Sequence, residues 1–297
     1  MMHKTTNRIA FPLISMLTAT LLLVAGCANS GSSSEPSKTP TLRLSMIPTT
    51  DPGKILRESQ PLVAYLEKET GAKVELTVPT NYAAVVEAIA NDQVDIAYLG
   101  GFTYVQASRR AGVVPLVQRE RDRNFHSVFI TQPGSGIDSL TDLKGHTFAF
   151  GDVNSTSGHL MPEYFMRQSN VDPDVIAKAF YSGGHDATAL SVANKKVDAG
   201  ALDETVFEKM TKEGKLDPGK VKIFYTTPPF FDYVWAARKG IDPQLTERFS
   251  NAFLKLSAGD ATHKQLLDLL GATKYQRADN SDYDKLRQAV RDAGLMK

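Results

Sequence analysis

The sequence predicts an α/β protein of two similar lobes, each built on a mixed, mostly parallel β-sheet. Two observations lead to this fold class. Short β-like runs alternate with helical patterns from Leu42 onward, and a motif near residue 90 recurs in the second half of the chain. Strands that alternate with helices are typical of βαβ units packed around parallel sheets.

Hydrophobic periodicity gives the individual elements. Residues 56–69 form a helical pattern, because Leu62, Tyr65 and Leu66 recur at the spacing of one helix face. The first half is predicted as strand 42–47, helix 56–69, strand 73–78, helix 82–90 and strand 94–99. The second half is predicted as strand 147–150, a helix after Ser157, strand 179–181, helix 187–194, strand 197–202 and helical patterns at 245–256, 264–270 and 283–293.

The recurring motif relates the two lobes to each other. The pattern ANxxVDxAxL at residues 90–99 reappears as ANxxVDxGxL at residues 193–202, an offset of 193 − 90 = 103. The same offset pairs Tyr82 with His185 and Gly100 with Asp203. In open α/β sheets, ligands bind beyond the carboxyl ends of the strands, where helices begin. We therefore expect these pairs to line one crevice from its two walls.

Three consecutive hydroxyl residues, Ser155, Thr156 and Ser157, follow a predicted strand and open a predicted helix. Their O–H groups join the free backbone N–H groups of the first helical turn, where the helix dipole adds partial positive charge. This combination predicts an anion site without a formal cation. The other interpretation is a plain helix cap, since Ser and Thr are favoured at that position.

Further polar residues are candidates for the same site. Asp203 ends a predicted strand, Asp232 lies in an aromatic connection, and His126 and His185 could donate to an anion. A carboxylate beside an anion site suits only a ligand that carries a proton or an ammonium group, because like charges otherwise repel. If both aspartates line the cleft, an anion that can carry a proton is favoured; if they point away, an anion without a proton would fit as well.

Composition and the absence of known motifs limit the function. The chain has 34 basic and 33 acidic residues and a formal net charge of +1, so nucleic acid is not an expected partner. The sequence contains no nucleophile elbow, phosphate-binding loop, dinucleotide fingerprint or metal-ligand spacing. We therefore expect a binding protein rather than an enzyme, with no metal or cofactor.

The N-terminus reads as a bacterial lipoprotein signal. Lys4 and Arg8 precede an apolar stretch that ends in LVAGC at residues 23–27, and this order is typical of a cleaved secretory signal. We expect removal of residues 1–26, lipidation of Cys27, and a flexible tether over residues 27–40, which are rich in Ser, Pro and Gly. The protein would be exported and lipid-anchored at the cell membrane, on its periplasmic or outer face.

Six short motifs carry a family resemblance: NYAAV at 81–85, VDIA at 94–97, HSV at 126–128, DVNSTSG at 152–158, GHDA at 184–187 and VDAG at 197–200. With them, the chain from about Leu42 resembles the solute-binding proteins of ABC importers for phosphonate, phosphite and phosphate. The resemblance implies a two-lobed periplasmic-binding-protein fold of type II that closes by a hinge on a small tetrahedral oxyanion. It also implies a permease and its ATPase as partners.

The resemblance assigns residues to these roles. We expect lobe 1 at residues 41–130 plus 233–297 and lobe 2 at residues 131–232, in a protein that is a monomer. Phe125 stands beside His126 where members of the family often have Tyr, so one hydroxyl donor is missing. The implied ligand contacts are Tyr82, Ser155, Thr156, Ser157, His185 and Asp232, with Asp203 or Glu204 as an acidic contact.

Three alternatives stay open. The stretches GGFT at 100–103 and SGHLMPEY at 157–164 look similar to a branch of the family associated with selenate. A ligand-sensing subunit that signals without transport would use the same binding fold. A phosphoester hydrolase would use the hydroxyl run at 155–157 as nucleophile.

Overall fold

The computed structural model describes residues 39–173, 176 and 178–295, and the chain from Thr39 onward forms one compact unit. The predicted signal peptide at residues 1–26, the lipidation site at Cys27 and the tether up to residue 38 lie outside the described residues. Within the described part of the chain, no helix combines the length and the apolar character that a membrane crossing requires.

Strands and helices alternate through most of the described chain. The strands are β1 (Thr41–Met46), β2 (Lys73–Thr77), β3 (Ile96–Leu99), β4 (Val114–Arg119), β5 (Ser127–Thr131), β6 (Thr147–Phe150), β7 (Lys178–Tyr181), β8 (Ala199–Asp203), β9 (Lys222–Thr226), β10 (Val234–Ala237) and β11 (Tyr275–Arg277). The helices are α1 (Pro52–Glu58), α2 (Gln60–Thr70), α3 (Tyr82–Ala90), α4 (Gly101–Ala111), α5 (Met161–Gln168), α6 (His185–Ala193), α7 (Glu204–Lys212), α8 (Pro243–Leu254), α9 (Ala261–Leu269) and α10 (Asp284–Asp292).

The strands form two separate sheets that follow the same plan. The first sheet has the order β11-β4-β10-β3-β1-β2 and the second β9-β5-β8-β6-β7. In each sheet the three strands at one side are parallel, and the strand next to them is antiparallel. The mixed α/β sheets confirm the predicted fold class, but the expectation that they are mostly parallel is wrong. Among the described strands five of the nine pairs are antiparallel, because β5 and β10 each enter from the other half of the molecule and β11 runs antiparallel to β4.

The predicted repeat holds at the level of whole elements. Helices α3 and α6 start and end at the same offset, 185 − 82 = 103 and 193 − 90 = 103. Both are followed by a residue with positive φ, Asp92 at 56° and Lys195 at 58°. The buried Asp95 accepts a hydrogen bond from a backbone N–H of β1, and Asp198 does the same for β6. The two halves therefore share turn geometry as well as strand order.

The chain crosses between the sheets twice, in the segment at Phe125 just before β5 and in the segment at Phe230 just before β10. Strand β5 pairs with β8 and β9 along its whole length, so the chain enters the second sheet by Ser127 and not near Gln132 as expected. The expected lobe limit at residue 130 falls inside this strand, because an antiparallel pairing between distant segments leaves no local sequence pattern. The crossing segments lie side by side, and Phe125 and Phe230 exchange backbone hydrogen bonds of 2.9 and 3.0 Å. We therefore propose that the boundaries between the two lobes lie at Phe125 and Phe230.

Local chemistry explains the other differences in element bounds. The predicted helix 56–69 is two helices, because Pro61 lacks the N–H that would continue α1 into α2. The predicted helix after Ser157 begins as a π-helical turn, Thr156–Leu160, and becomes α-helical only at Met161. Helix α3 begins where predicted, since Asn81 caps it by accepting from the N–H of Ala84 at 2.9 Å.

Candidate functional site

The N-termini of α3 and α6 meet at the candidate site. The hydroxyl of Tyr82 lies 3.4 Å from Nε2 of His185, and both side chains are buried. The backbone N–H of His185 donates to the carbonyl of Thr49, in the loop after β1, at 3.0 Å. The two residues that the offset pairs are therefore in contact, each at the first position of its helix.

The geometry around His185 fixes its tautomer. Its Nδ1 lies 3.2 Å from the backbone N–H of Asp203, which can only donate, so Nδ1 accepts this hydrogen bond. Burial lowers the pKa of His185, which favours the neutral ring. The proton of the neutral ring is then on Nε2, where it points toward the hydroxyl of Tyr82.

The hydroxyl run at residues 155–157 lies on the same side of the molecule. Ser155 Oγ accepts from the N–H of Gly158 at 3.0 Å, so this residue does cap the turn. Burial raises the pKa of Tyr82 well above its usual value, and the nearby Ser155 hydroxyl opposes this rise. Gly158 is required here, since a Cβ would lie 2.9 Å from both Ser155 Oγ and His185 Cε1. Ser155, Thr156 and Ser157 are all buried.

Thr156 and Asp232 join the second half of the chain to the start of α4. Thr156 Oγ1 accepts from the N–H of Phe102 at 3.0 Å, and Asp232 Oδ1 accepts from the N–H of Gly101 at 2.9 Å. Burial raises the pKa of Asp232 to about 7, although the N–H of Gly101 and the Thr156 hydroxyl oppose this shift. Its second oxygen, Oδ2, is buried and has no hydrogen-bond partner among the described residues.

Asp203 is buried with both oxygens engaged. Its Oδ1 caps α7 by accepting from the N–H groups of Thr205 and Val206, and its Oδ2 accepts from the Tyr233 hydroxyl at 2.7 Å. Burial alone would raise the pKa of Asp203, but the hydrogen bonds from Thr205 and Tyr233 hold it below its usual value. Asp203 is therefore an ionised residue that orients its neighbours. In Asp232, by contrast, one carboxyl oxygen has no hydrogen-bond partner among the described residues.

Phe125 and His126 lie at the crossing segments. The Phe125 ring is buried and packs edge-to-face on Tyr233, with ring centroids 5.4 Å apart. His126 Nδ1 lies 2.6 Å from the Thr227 carbonyl, and its side chain lines a cavity of about 750 Å³ together with Glu204. Tyr82, Thr156, His185 and Asp232 do not line this cavity. The structure thus separates His126 and Glu204 from the other predicted contacts.

Sequence reasoning missed several polar groups in this region. The Asp152 carboxylate lies 3.4 Å from the N–H of Tyr82, and Tyr233 donates to Asp203. Ser127 is buried, and its hydroxyl has no partner among the described residues. Ser127 lies in the HSV motif and Asp152 in the DVNSTSG motif. Membership in these two motifs is the sequence signal that could have identified both residues.

The arrangement suits a small oxygen-rich anion. Hydroxyls of Tyr82, Ser155 and Thr156 and the imidazole of His185 are neutral groups that can donate hydrogen bonds. Asp232, with a pKa of about 7, can carry or accept one proton. Among the described residues, no group of His, Cys, Asp and Glu has the arrangement of a metal site.

Comparison with known proteins identifies the family. The model of the family described as the periplasmic substrate-binding protein of phosphonate ABC transporters matches residues 44–283. This chain belongs to that family. Its members are binding proteins of transporters and not enzymes, which confirms the expected class and sets the hydrolase alternative aside.

Characterised relatives and a solved structure agree with this assignment. The probable ABC transporter phosphite binding protein PhnD1 of Prochlorococcus marinus is 32% identical over 239 residues, 76% of this chain and 80% of the relative. The phosphate-import protein PhnD of Mycolicibacterium smegmatis is 32% identical over 251 residues, 78% of each chain. The structure of PhnD1 in complex with methylphosphonate superposes with a TM-score of 0.82 at 30% identity, covering 86% of this chain and 99% of that one.

Proposed function

We propose that this protein captures a singly protonatable phosphorus oxyanion (phosphite, phosphonate or phosphate) between its two lobes and delivers it to an ABC permease. The proposed ligand class depends on Asp232. This side chain is buried, its pKa is about 7, and its Oδ2 has no hydrogen-bond partner among the described residues. A carboxyl group in this position shares one proton with its ligand. Sulfate and selenate bring no proton at neutral pH, so an ionised Asp232 would repel them.

The proposed contacts are Tyr82, Ser155, Thr156, Ser157, His185 and Asp232. Asp203 is the acidic residue beside them, and its backbone N–H orients the His185 ring. The relatives are described as binding phosphite and methylphosphonate or importing phosphate, which supports this ligand class. Phe125 brings no hydroxyl to the site, so a ligand that needs a donor at that position would be disfavoured. His126 and Glu204 are left out of the proposed site.

We also propose the setting of this function. Lobe closure would turn about the crossing segments at Phe125 and Phe230, and would desolvate the ligand. Lipidation of Cys27 would keep the protein at the membrane, where a permease and its ATPase could accept the closed form. Loss of ligand uptake in a deletion strain is expected for this importer, whereas unchanged uptake would favour the sensor alternative.

Titration calorimetry of the purified protein tests the ligand class. Phosphite, methylphosphonate, phosphate, selenate and sulfate would be titrated separately at pH 8, where Asp232 is mostly ionised. We expect at least one phosphorus oxyanion to bind and selenate and sulfate to give no measurable heat. Tight binding of selenate with no binding of the phosphorus anions would overturn the proposal in favour of the selenate alternative.

A further inference from the structure

The hydroxyl of Ser127 is a buried polar group that the fold itself does not use. The residue is fully buried, and its Oγ has no hydrogen-bond partner among the described residues. Its backbone is satisfied, since its N–H donates to Thr227 Oγ1 at 3.0 Å and its carbonyl accepts from the Thr227 N–H at 3.0 Å. A buried hydroxyl without a partner destabilises a protein, so alanine at this position would give a more stable folded state.

Strand pairing places Ser127 beside the proposed site. In the antiparallel β5–β8 pair, Ser127 lies directly opposite Asp203. Side chains of opposed residues share a face of the sheet, with Cβ atoms about 5 Å apart. Asp203 in turn bonds the ring of His185 through its N–H and the hydroxyl of Tyr233 through its carboxylate.

The face on which Ser127 lies is also the face of the hydroxyl run. Phe129, two residues along β5 and therefore on the same face, packs in one core cluster with Ala201, Phe150 and Met166. Met166 belongs to α5, the helix that continues from the Thr156–Leu160 turn. Ser127 therefore lies at the end of the second sheet that carries the C-termini of β6 and β8, beside the start of this turn.

We infer that Ser127 is a further ligand-contacting residue, whose hydroxyl donates a hydrogen bond to an oxygen of the bound phosphorus oxyanion. Its hydroxyl lies two residues along the chain from Phe125, whose ring has no hydroxyl to donate. The inference rests on the proposed function, because the ligand is what completes the hydrogen bonding of Ser127. Without a ligand the hydroxyl lowers stability, and with one it raises affinity.

The Ser127→Ala variant tests this inference by measurements of thermal stability and of ligand affinity. Stability should be kept or increased, whereas affinity should fall. The thermal midpoint of the ligand-free variant should equal or exceed that of the parent, since an unpaired group is removed. The Kd for the phosphorus oxyanion that the parent prefers should rise about tenfold, as expected for a lost hydrogen bond to a charged ligand. A serine that is merely structural would not produce this combination.

Ser45→Ala is the matched control. Ser45 is also fully buried in a strand, but its Oγ donates to the Thr77 carbonyl at 3.3 Å, within the first sheet. This variant should lose thermal stability and keep the Kd of the parent. If Ser127→Ala instead behaves like Ser45→Ala, or binds as tightly as the parent, the inference is overturned. If the parent binds none of the phosphorus oxyanions, the proposed function fails together with the inference.

Discussion

At the scale of single residues, the site combines neutral donors with one carboxyl group of raised pKa, Asp232. His185 is neutral because an amide N–H occupies its Nδ1 and burial disfavours the charged ring. Asp203 and Asp232 are both buried, yet the pKa of Asp203 is lowered and that of Asp232 is raised. The difference follows from their partners, because Asp203 accepts from Tyr233 and a helix N-terminus while Asp232 keeps one oxygen unpaired.

Selectivity against unprotonated anions should depend on Asp232. Below its pKa of about 7 the carboxyl group carries a proton and can donate to any oxyanion; above it the carboxylate accepts only from a ligand O–H. We therefore expect weak sulfate binding by the parent at pH 5.5 that disappears by pH 8.5. In Asp232→Asn the amide always donates, so calorimetry should detect sulfate binding at both pH values. Sulfate affinity that is equal in parent and variant at pH 8.5 would contradict this role.

The sequence could predict some site residues and not others for a local reason. Tyr82 and His185 were predicted because a helix N-terminus and a constant offset leave a pattern in the sequence. His126 was predicted as a contact together with Phe125, but adjacent residues of an extended chain point to opposite faces. Its ring therefore lines the outer cavity with Glu204 instead. The unpaired atoms of Ser127 and Asp232 depend on long-range packing, which no short motif encodes.

At the scale of elements, α1 and the end of α7 carry charges that complement each other across the two halves. Lys54 pairs with Glu58 at 3.7 Å within α1, and Lys209 pairs with Glu213 at 3.9 Å around the end of α7. The cross pairs Lys209–Glu58 at 3.4 Å and Lys54–Glu213 at 3.9 Å complete a ring of four alternating charges. Lobe opening would break the cross pairs and leave the pairs within each helix.

Charge reversal in this ring should weaken ligand binding without touching the site. Each side chain is about a third to a half exposed, so a cross pair is worth about 0.2–1 kcal/mol, and Lys209→Glu should raise the ligand Kd about two- to fivefold. Adding Glu58→Lys should recover part of the loss, and 1 M salt should reduce the difference. Arg277→Glu, which reverses a pair with Glu247 inside the first half, is the control and should leave Kd unchanged. An equal effect of the control would contradict the cross-lobe role.

At the scale of the whole molecule, the fold is two copies of one plan that exchange a strand. The repeat offset of 103 residues predicted the matching helices α3 and α6 and the meeting of their N-termini. The return of the chain to the first half at residue 233 was expected from the family resemblance, but strands β5 and β10 were not predicted, since each pairs with strands far along the chain. This exchange brings Asp232 and Ser127, which adjoin the crossing segments, to the same region as the two helix N-termini.

We propose that Tyr82, Thr156, His185 and Asp232 together hold the oxyanion between the two halves of the molecule. The most direct test is a crystal structure of the protein with the phosphorus oxyanion that it binds most tightly. We expect the oxygens of the anion to lie within hydrogen-bond distance of these four side chains. An anion found instead in the cavity lined by His126 and Glu204, with Tyr82 and His185 still in mutual contact, would contradict it.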